Sequence, residues 1–254
     1  MQTKKYMAIK YRLISILILY ISVLFTVVGP VFAQTGVLDG NLVIGEETID
    51  GYRQVYYLSG NKKIFITQGQ TNSRMPHTSG DYITYISEIN GEGQIFLHHV
   101  PSSTTLKLTN HSTNLEPKVN NDGWVVWEGW IPEEDGWQVF LFDMVSVRQL
   151  TSGDLSMNPD IEDKYVIYSR KSVAEEWKAV IYSANEDKHI DVTFGEKTRV
   201  PKIKNGKIYL LQGTEEYTLM VGDLFLLDFK SLTTPKEVTI EEIEREILEN
   251  AVFQ

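Results

Sequence analysis

"NLEPKVNNDGWVVW", residues 114 to 127, is followed by "QVFLFD" from Gln138 and "RQLT" ending at Thr151, and together they form one unit of a recurring pattern. Its proline, Pro117, has counterparts at Pro76, Pro159 and Pro201, spaced by 41, 42 and 42 residues. After each proline comes an aliphatic and aromatic run: "YITY" from Tyr82, "WVVW" from Trp124, "YVIY" from Tyr165 and "KIYL" from Lys207. A second run follows: "QIFLHHV" from Gln94, "QVFLFDM" from Gln138, "AVIYSA" from Ala179 and "DLFLLDF" from Asp223. Each unit closes on a threonine, at Thr109, Thr151, Thr193 and Thr239. A weaker first copy runs from Asn41 through Gln54 to Thr67, so the closing threonines stand 42, 42, 42 and 46 apart.

Alternating apolar positions, β-branched and aromatic enrichment and Asn/Gly/Asp turns make each copy a set of short antiparallel strands. A repeat of about 40 to 45 residues with four strands is the signature of a propeller blade. The chain is therefore expected to be all-β: a β-propeller of five four-stranded blades over residues 34–239, each of about 42 residues. Strand A holds the proline, B follows the turn, C is the Gln-aliphatic run and D ends at the threonine. Proline lacks an N–H and suits the edge of a sheet, here the inner edge beside the axis. In the first copy the inner strand is expected at residues 35–37.

The pattern "N-x-x-P-x-(I/V)", then "(V/I)-(V/I)-(W/Y)", "Q-(V/I)-F-L" and "L-T", resembles the TolB-like family of β-propellers. The residues carrying the resemblance are "NLEPKVNNDGWVVW", "QVFLFD", "RQLT" and, in the fourth copy, "NPDIEDKYVIY" from Asn158. The resemblance implies a propeller in which the B–C and D–A loops share one face, commonly the ligand face.

Before the repeats, Lys4, Lys5, Lys10 and Arg12 precede an apolar run from Leu13 to Val28, then Gly29-Pro30 and "VFA" before Gln34. This order is that of a secretory signal peptide, expected at residues 1–33. The alternative is an uncleaved anchor, since a spanning helix needs about 20 apolar residues. Removal of this segment leaves 20 Lys+Arg against 34 Asp+Glu, a net charge of −14. So acidic a surface excludes the usual footprint of a nucleic-acid or anionic-lipid binder. With no cysteine, the fold rests on packing rather than disulfides.

After Thr239, residues 240–254 change to helical spacing. Ile240, Ile243, Ile247, Leu248 and Ala251 share one face, and Thr239 with Glu242 reads as a capping box. A short amphipathic helix packed on the propeller is expected there.

Repeat register sorts the aromatics. Trp124 aligns with Tyr82 and Tyr165, and Trp127 with Tyr85 and Tyr168, as expected of packing residues between blades. Trp130 has no aromatic counterpart and is read as part of the B–C loop, beside Glu128, Glu133, Glu134 and Asp135, which makes it a candidate ligand contact. After the prolines stand His77, Lys118, Asp160 and Lys202, with Glu116 just before Pro117. If these face the axis they form a mixed-charge ring, a second candidate ligand site. Catalytic motifs, phosphate loops and dinucleotide fingerprints are absent from the sequence. His98-His99 are adjacent on a strand and point to opposite faces, so they do not read as a metal pair. The expected function is an exported, non-catalytic module binding a protein or carbohydrate, without cofactor, metal or nucleic acid. The enzymatic alternative is a glycoside hydrolase or lyase using channel carboxylates such as Glu116 and Asp160, which would have to stand about 5 Å or 6.5 to 9.5 Å apart.

Overall fold

The computed structural model describes residues 42–171, 177–192, 198–213 and 217–224. These form five antiparallel sheets in chain order. Sheet 1 holds β1 (Ile44–Ile49), β2 (Tyr52–Ser59) and β3 (Lys62–Phe65). Sheet 2 holds β4 (Ser73–Ser79), β5 (Tyr82–Ile89), β6 (Glu92–His99) and β7 (Thr104–Lys107). Sheet 3 holds β8 (Asn114–Val119), β9 (Val125–Ile131), β10 (Gly136–Phe142) and β11 (Val147–Gln149). Sheet 4 holds β12 (Leu155–Glu162), β13 (Tyr165–Lys171), β14 (Trp177–Ser183) and β15 (Lys188–Asp191). Sheet 5 holds β16 (Thr198–Lys204), β17 (Lys207–Gly213) and β18 (Tyr217–Asp223). The expected signal segment 1–33, the strand at 35–37 and the helix at 240–254 lie outside the described residues.

Every sheet is a simple meander, and each packs against the next. The proline strands β4, β8, β12 and β16 contact one another in succession, which gathers them on a common axis. β7, β11 and β15 are largely exposed and form the rim. Strand B of sheets 2, 3 and 4 (β5, β9 and β13) is buried on both faces, which is why it reads as a continuous apolar run. In β9, Val125 and Trp127 pack with Ile86, Ile95 and Leu97 of sheet 2, while Val126 packs with Ile161, Val166 and Tyr168 of sheet 4.

The recurring glutamine and threonine have a structural reason. Thr67, Thr109 and Thr151 accept, through Oγ1, the N–H of Val55, Ile95 and Val139 at 2.8, 2.9 and 2.9 Å. Gln94 and Gln138 accept in turn from Thr109 and Thr151. Their amides donate onward to carbonyls of the link into the next sheet, Ser112 and Asp154, as Gln54 does to Gly69 and Thr71. The repeat thus satisfies buried polar atoms where rim strand, C strand and connecting link meet.

The proline strands are bulged. Register shifts fall between Arg74 and His77, Leu115 and Lys118, Met157 and Asp160, and Arg199 and Lys202. The pre-proline residues Met75, Glu116 and Asn158 have φ of 53°, 50° and 55°. A bulge leaves the proline outside the ladder, where its missing N–H costs nothing.

One expected strand is displaced. The C strand of the last repeat is β18, paired with β17 from Gly213↔Tyr217 to Lys207↔Asp223, so "DLFLLDF" starts only at its final residue. Apolar density pointed downstream, whereas a hairpin partner has to begin within a short connection of β17.

Candidate functional site

The first link between sheets is made by backbone groups on the inner edge. In an edge strand alternate N–H groups point away from the ladder, here toward the axis, and each needs an acceptor. The Val119 N–H donates to His77 Nδ1 at 3.2 Å, and the Ile203 N–H donates to Asp160 Oδ2 at 3.0 Å. His77 and Asp160 each stand one residue past a proline and cap the strand of the following sheet. Lys118 and Lys202 occupy the same position in the alternate sheets and have only donors. Along sheets 2 to 5 the order is acceptor, cation, acceptor, cation.

A second tier lies at the bulge. The Met75 N–H donates to Glu46 Oε1 at 2.6 Å, and the Asn158 N–H donates to Glu128 Oε1 at 2.5 Å. Glu46 and Glu128 are equivalent positions of strand B, opposite Val55 and Val139. Sequence reasoning missed this role for Glu128. The available signal was a glutamate at that position in copies one and three, where Ile86 and Ser169 stand in copies two and four.

The ring groups feel one another's charge. Desolvation first, then the Lys118 and Lys202 charges, hold His77 down to about 3. Desolvation likewise lowers Lys118; Lys202 adds to this, while Asp160 and Glu116 oppose it. Glu128 is only 2% exposed, and desolvation pushes its carboxyl up to about 7, against the bond from Asn158 and with help from Glu116. The structure thus brings His77, Glu116, Lys118, Asp160 and Lys202 within electrostatic reach of each other and adds Glu128. No ion pair of the Glu116, Lys118 or Lys202 side chain is present among the described residues.

Trp130 is not in a loop. It lies in β9 and pairs across the hairpin with Trp137, their rings edge to face at 5.5 Å. Strand B of this sheet runs to Ile131, and a 3-10 turn, Pro132–Glu134, makes the connection. Trp130 therefore has an aromatic partner, Trp137, and stays half-exposed at the end of the sheet. Trp127 is fully buried, stacked on Phe140 and donating Nε1–H to Asn114 Oδ1. Trp124 is half-buried under the Lys164 ammonium, 3.7 Å from its ring centre. His98 and His99 bond separately to Thr105 and Ser102. Among the described residues no group of three His, Asp or Glu is placed to hold a metal ion, and no helix is long and apolar enough to cross a membrane.

Sheets arranged by their inner strands about one axis define a β-propeller, and solved TolB structures resemble the chain in this fold. The chain is similar to TolB from Acinetobacter baumannii at 14% identity and a TM-score of 0.54, over 80% of this chain and 55% of that one. It is similar to a TolB structure from Agrobacterium tumefaciens at 14% identity and a TM-score of 0.52, over 70% of this chain and 66% of that one. A puromycin-hydrolyzing peptidase from Mycobacterium tuberculosis matches at 14% identity and a TM-score of 0.55, over 80% of this chain and 38% of that one. The chain thus spans little more than half the length of the first of these structures. No protein-family profile and no curated protein sequence matches it.

Proposed function

We propose that this chain is an exported, non-catalytic propeller of five four-stranded blades that binds a protein or glycan at the channel ring and at the Trp130 end of the third sheet. The observation that carries this reading is the use made of the channel carboxylates. Asp160 caps the Ile203 N–H, Glu128 caps the Asn158 N–H and Glu46 caps the Met75 N–H. Glycoside hydrolysis takes two positioned carboxylates, whereas Asp160, Glu128 and Glu46 each have a structural use as the acceptor of a backbone N–H. Lys118, Lys202 and the half-exposed Trp130–Trp137 pair are left as contact groups. Export through residues 1–33 and packing of the helix at 240–254 on the propeller belong to the same reading.

The test is a screen of glycans and envelope proteins against the purified chain for both binding and turnover. Binding that is lost in Trp130→Ala or Lys118→Met, at unchanged Tm, supports the module. Turnover that disappears in Glu116→Gln overturns it in favour of a hydrolase or lyase.

A further inference from the structure

Asparagine is followed by glycine at two places in the chain, Asn90-Gly91 and Asn205-Gly206. Both dipeptides are two-residue hairpin turns, the first joining β5 to β6 and the second β16 to β17. All four residues are left-handed, with φ of 55° and 83° in the first turn and 52° and 69° in the second, the conformation for which this dipeptide is suited.

The two turns differ in what holds them. Glu162, the last residue of β12, reaches across from sheet 4 to the second turn. The Asn205 N–H donates to its Oε1 at 2.6 Å and the Gly206 N–H donates to its Oε2 at 2.8 Å. Gly206 is buried there. Asn90 and Gly91 are both exposed, and the space beside Gly91 is open, with nothing within 4 Å of where a Cβ would stand.

An asparagine before glycine is chemically labile, because no side chain hinders attack by the following backbone nitrogen. At the first turn the Gly91 nitrogen, its proton taken by hydroxide, attacks the carbonyl carbon of the Asn90 side chain. The new C–N bond closes a cyclic imide, and the side-chain nitrogen leaves as ammonia with a proton from water. Water then opens the imide at one carbonyl or the other, giving aspartate or isoaspartate. At the second turn the proton to be removed is the one donated to Glu162, and an anion would form beside a carboxylate, which like charge disfavours. Turning the backbone for attack would also break two charge-assisted hydrogen bonds.

We propose that Asn90-Gly91 is a site of spontaneous deamidation, and that Glu162 protects the otherwise equivalent Asn205-Gly206. Both products put a negative charge on the B–C turn of sheet 2, the end of the sheet at which Trp130 stands in sheet 3. Aspartate keeps the turn, which accepts Asp-Gly as well as Asn-Gly. Isoaspartate lengthens the backbone and breaks the pairing of Ile89 with Glu92 that closes the hairpin.

The experiment incubates the full chain at mildly alkaline pH, folded and in urea, and follows both dipeptides by peptide mass and by separating aspartyl from isoaspartyl products. In the folded chain Asn90 should convert at least about ten times faster than Asn205, the factor set by one charge-assisted bond lost on the way to attack. In urea the two rates should converge. Glu162→Gln removes the charge and one of the two acceptors, and should speed Asn205 about ten-fold while leaving Asn90 unchanged. Amide exchange gives a second reading without a variant: the Asn205 and Gly206 N–H groups should exchange more slowly than that of Gly91. If Asn90 stays intact in the folded chain while converting in urea, it is not a site. Equal conversion or equal exchange at the two folded turns, or an Asn205 rate unmoved by Glu162→Gln, overturns the protection by Glu162.

Discussion

The Thr151 hydroxyl donates to the Gln138 side-chain oxygen at 2.6 Å, joining the C strand of sheet 3 to the residue two past the end of its rim strand. Gln138 is fully buried, and its amide reaches on to the Asp154 carbonyl at 3.2 Å. Gln138→Ala leaves the Thr151 hydroxyl and the Asp154 carbonyl to find other partners. A buried group left unsatisfied costs about 1–3 kcal/mol, so urea unfolding of Gln138→Ala should show a loss in that range. Sheet 4 carries Lys178 at the equivalent position, half-exposed and paired with Asp191. Lys178→Ala should therefore cost no more than a surface ion pair, below about 1 kcal/mol.

Glu128 gives stability a dependence on pH. Its carboxyl titrates at about 7 when folded, against 4.5 as the ordinary value. Between these values the folded protein binds more protons than the unfolded chain, so stability falls as pH rises through the window. Glu128→Gln keeps an oxygen for the Asn158 N–H and carries no charge. Above pH 7 it should exceed the parent by up to about 3 kcal/mol, with the gap closing toward pH 4.5. Denaturant titrations at both ends of the window check this; a gap that does not change with pH would show the carboxylate to be better solvated than its burial implies.

His77 works in the opposite sense. Its folded value of about 3 lies below the ordinary 6.5, so its contribution is complete above 6.5 and is lost as pH falls toward 3. His77→Asn retains an acceptor near the Val119 N–H and cannot ionise. Acid titration followed by near-ultraviolet circular dichroism should place its unfolding midpoint at lower pH than the parent's.

Gly93 is fixed by a close approach between sheets. A Cβ there would stand 2.8 Å from the Asn114 carbonyl oxygen and 3.2 Å from an Ile86 methyl. The Asn114 amide meanwhile donates to the Gly93 carbonyl at 3.1 Å. Backbone cannot yield as a flexible side chain does, so Gly93→Ala has to shift sheets 2 and 3 apart. A loss of about 1–3 kcal/mol is expected, read as a lower Tm.

The fold was legible because its signals are local and repeated: a proline at each bulge, an apolar strand after each turn and a threonine after each rim strand. The equivalence of His77, Lys118, Asp160 and Lys202 was legible for the same reason, since each stands one position past a proline. Glu128 was not, because its partner lies 30 residues away in the next sheet, and only the direction of a bulged N–H reveals the need for a cap. Trp130 was misplaced because strand B of sheet 3 continues to Ile131 through "EGWI", where a glutamate and a glycine read as loop. The C strand of sheet 5 was misplaced because apolar density outweighed hairpin length.

Trp127 and Trp130 share one strand and should respond differently to substitution. Trp127 is 1% exposed, and Trp127→Phe leaves Asn114 Oδ1 without its indole donor and a gap where the second ring stood. The expected cost is about 1–3 kcal/mol for the lost bond, with more for the void. Trp130 is half-exposed and meets Trp137 edge to face. Trp130→Ala should forfeit about 0.5–1.5 kcal/mol from that contact, together with the area the pair covers. The ligand assay should reverse the order: Trp130→Ala loses binding, while Trp127→Phe, measured well below its own Tm, keeps it. If Trp130→Ala destabilises the fold as much as Trp127→Phe and binds unchanged, the pair with Trp137 is a hairpin clasp and the ligand is met by the channel ring alone.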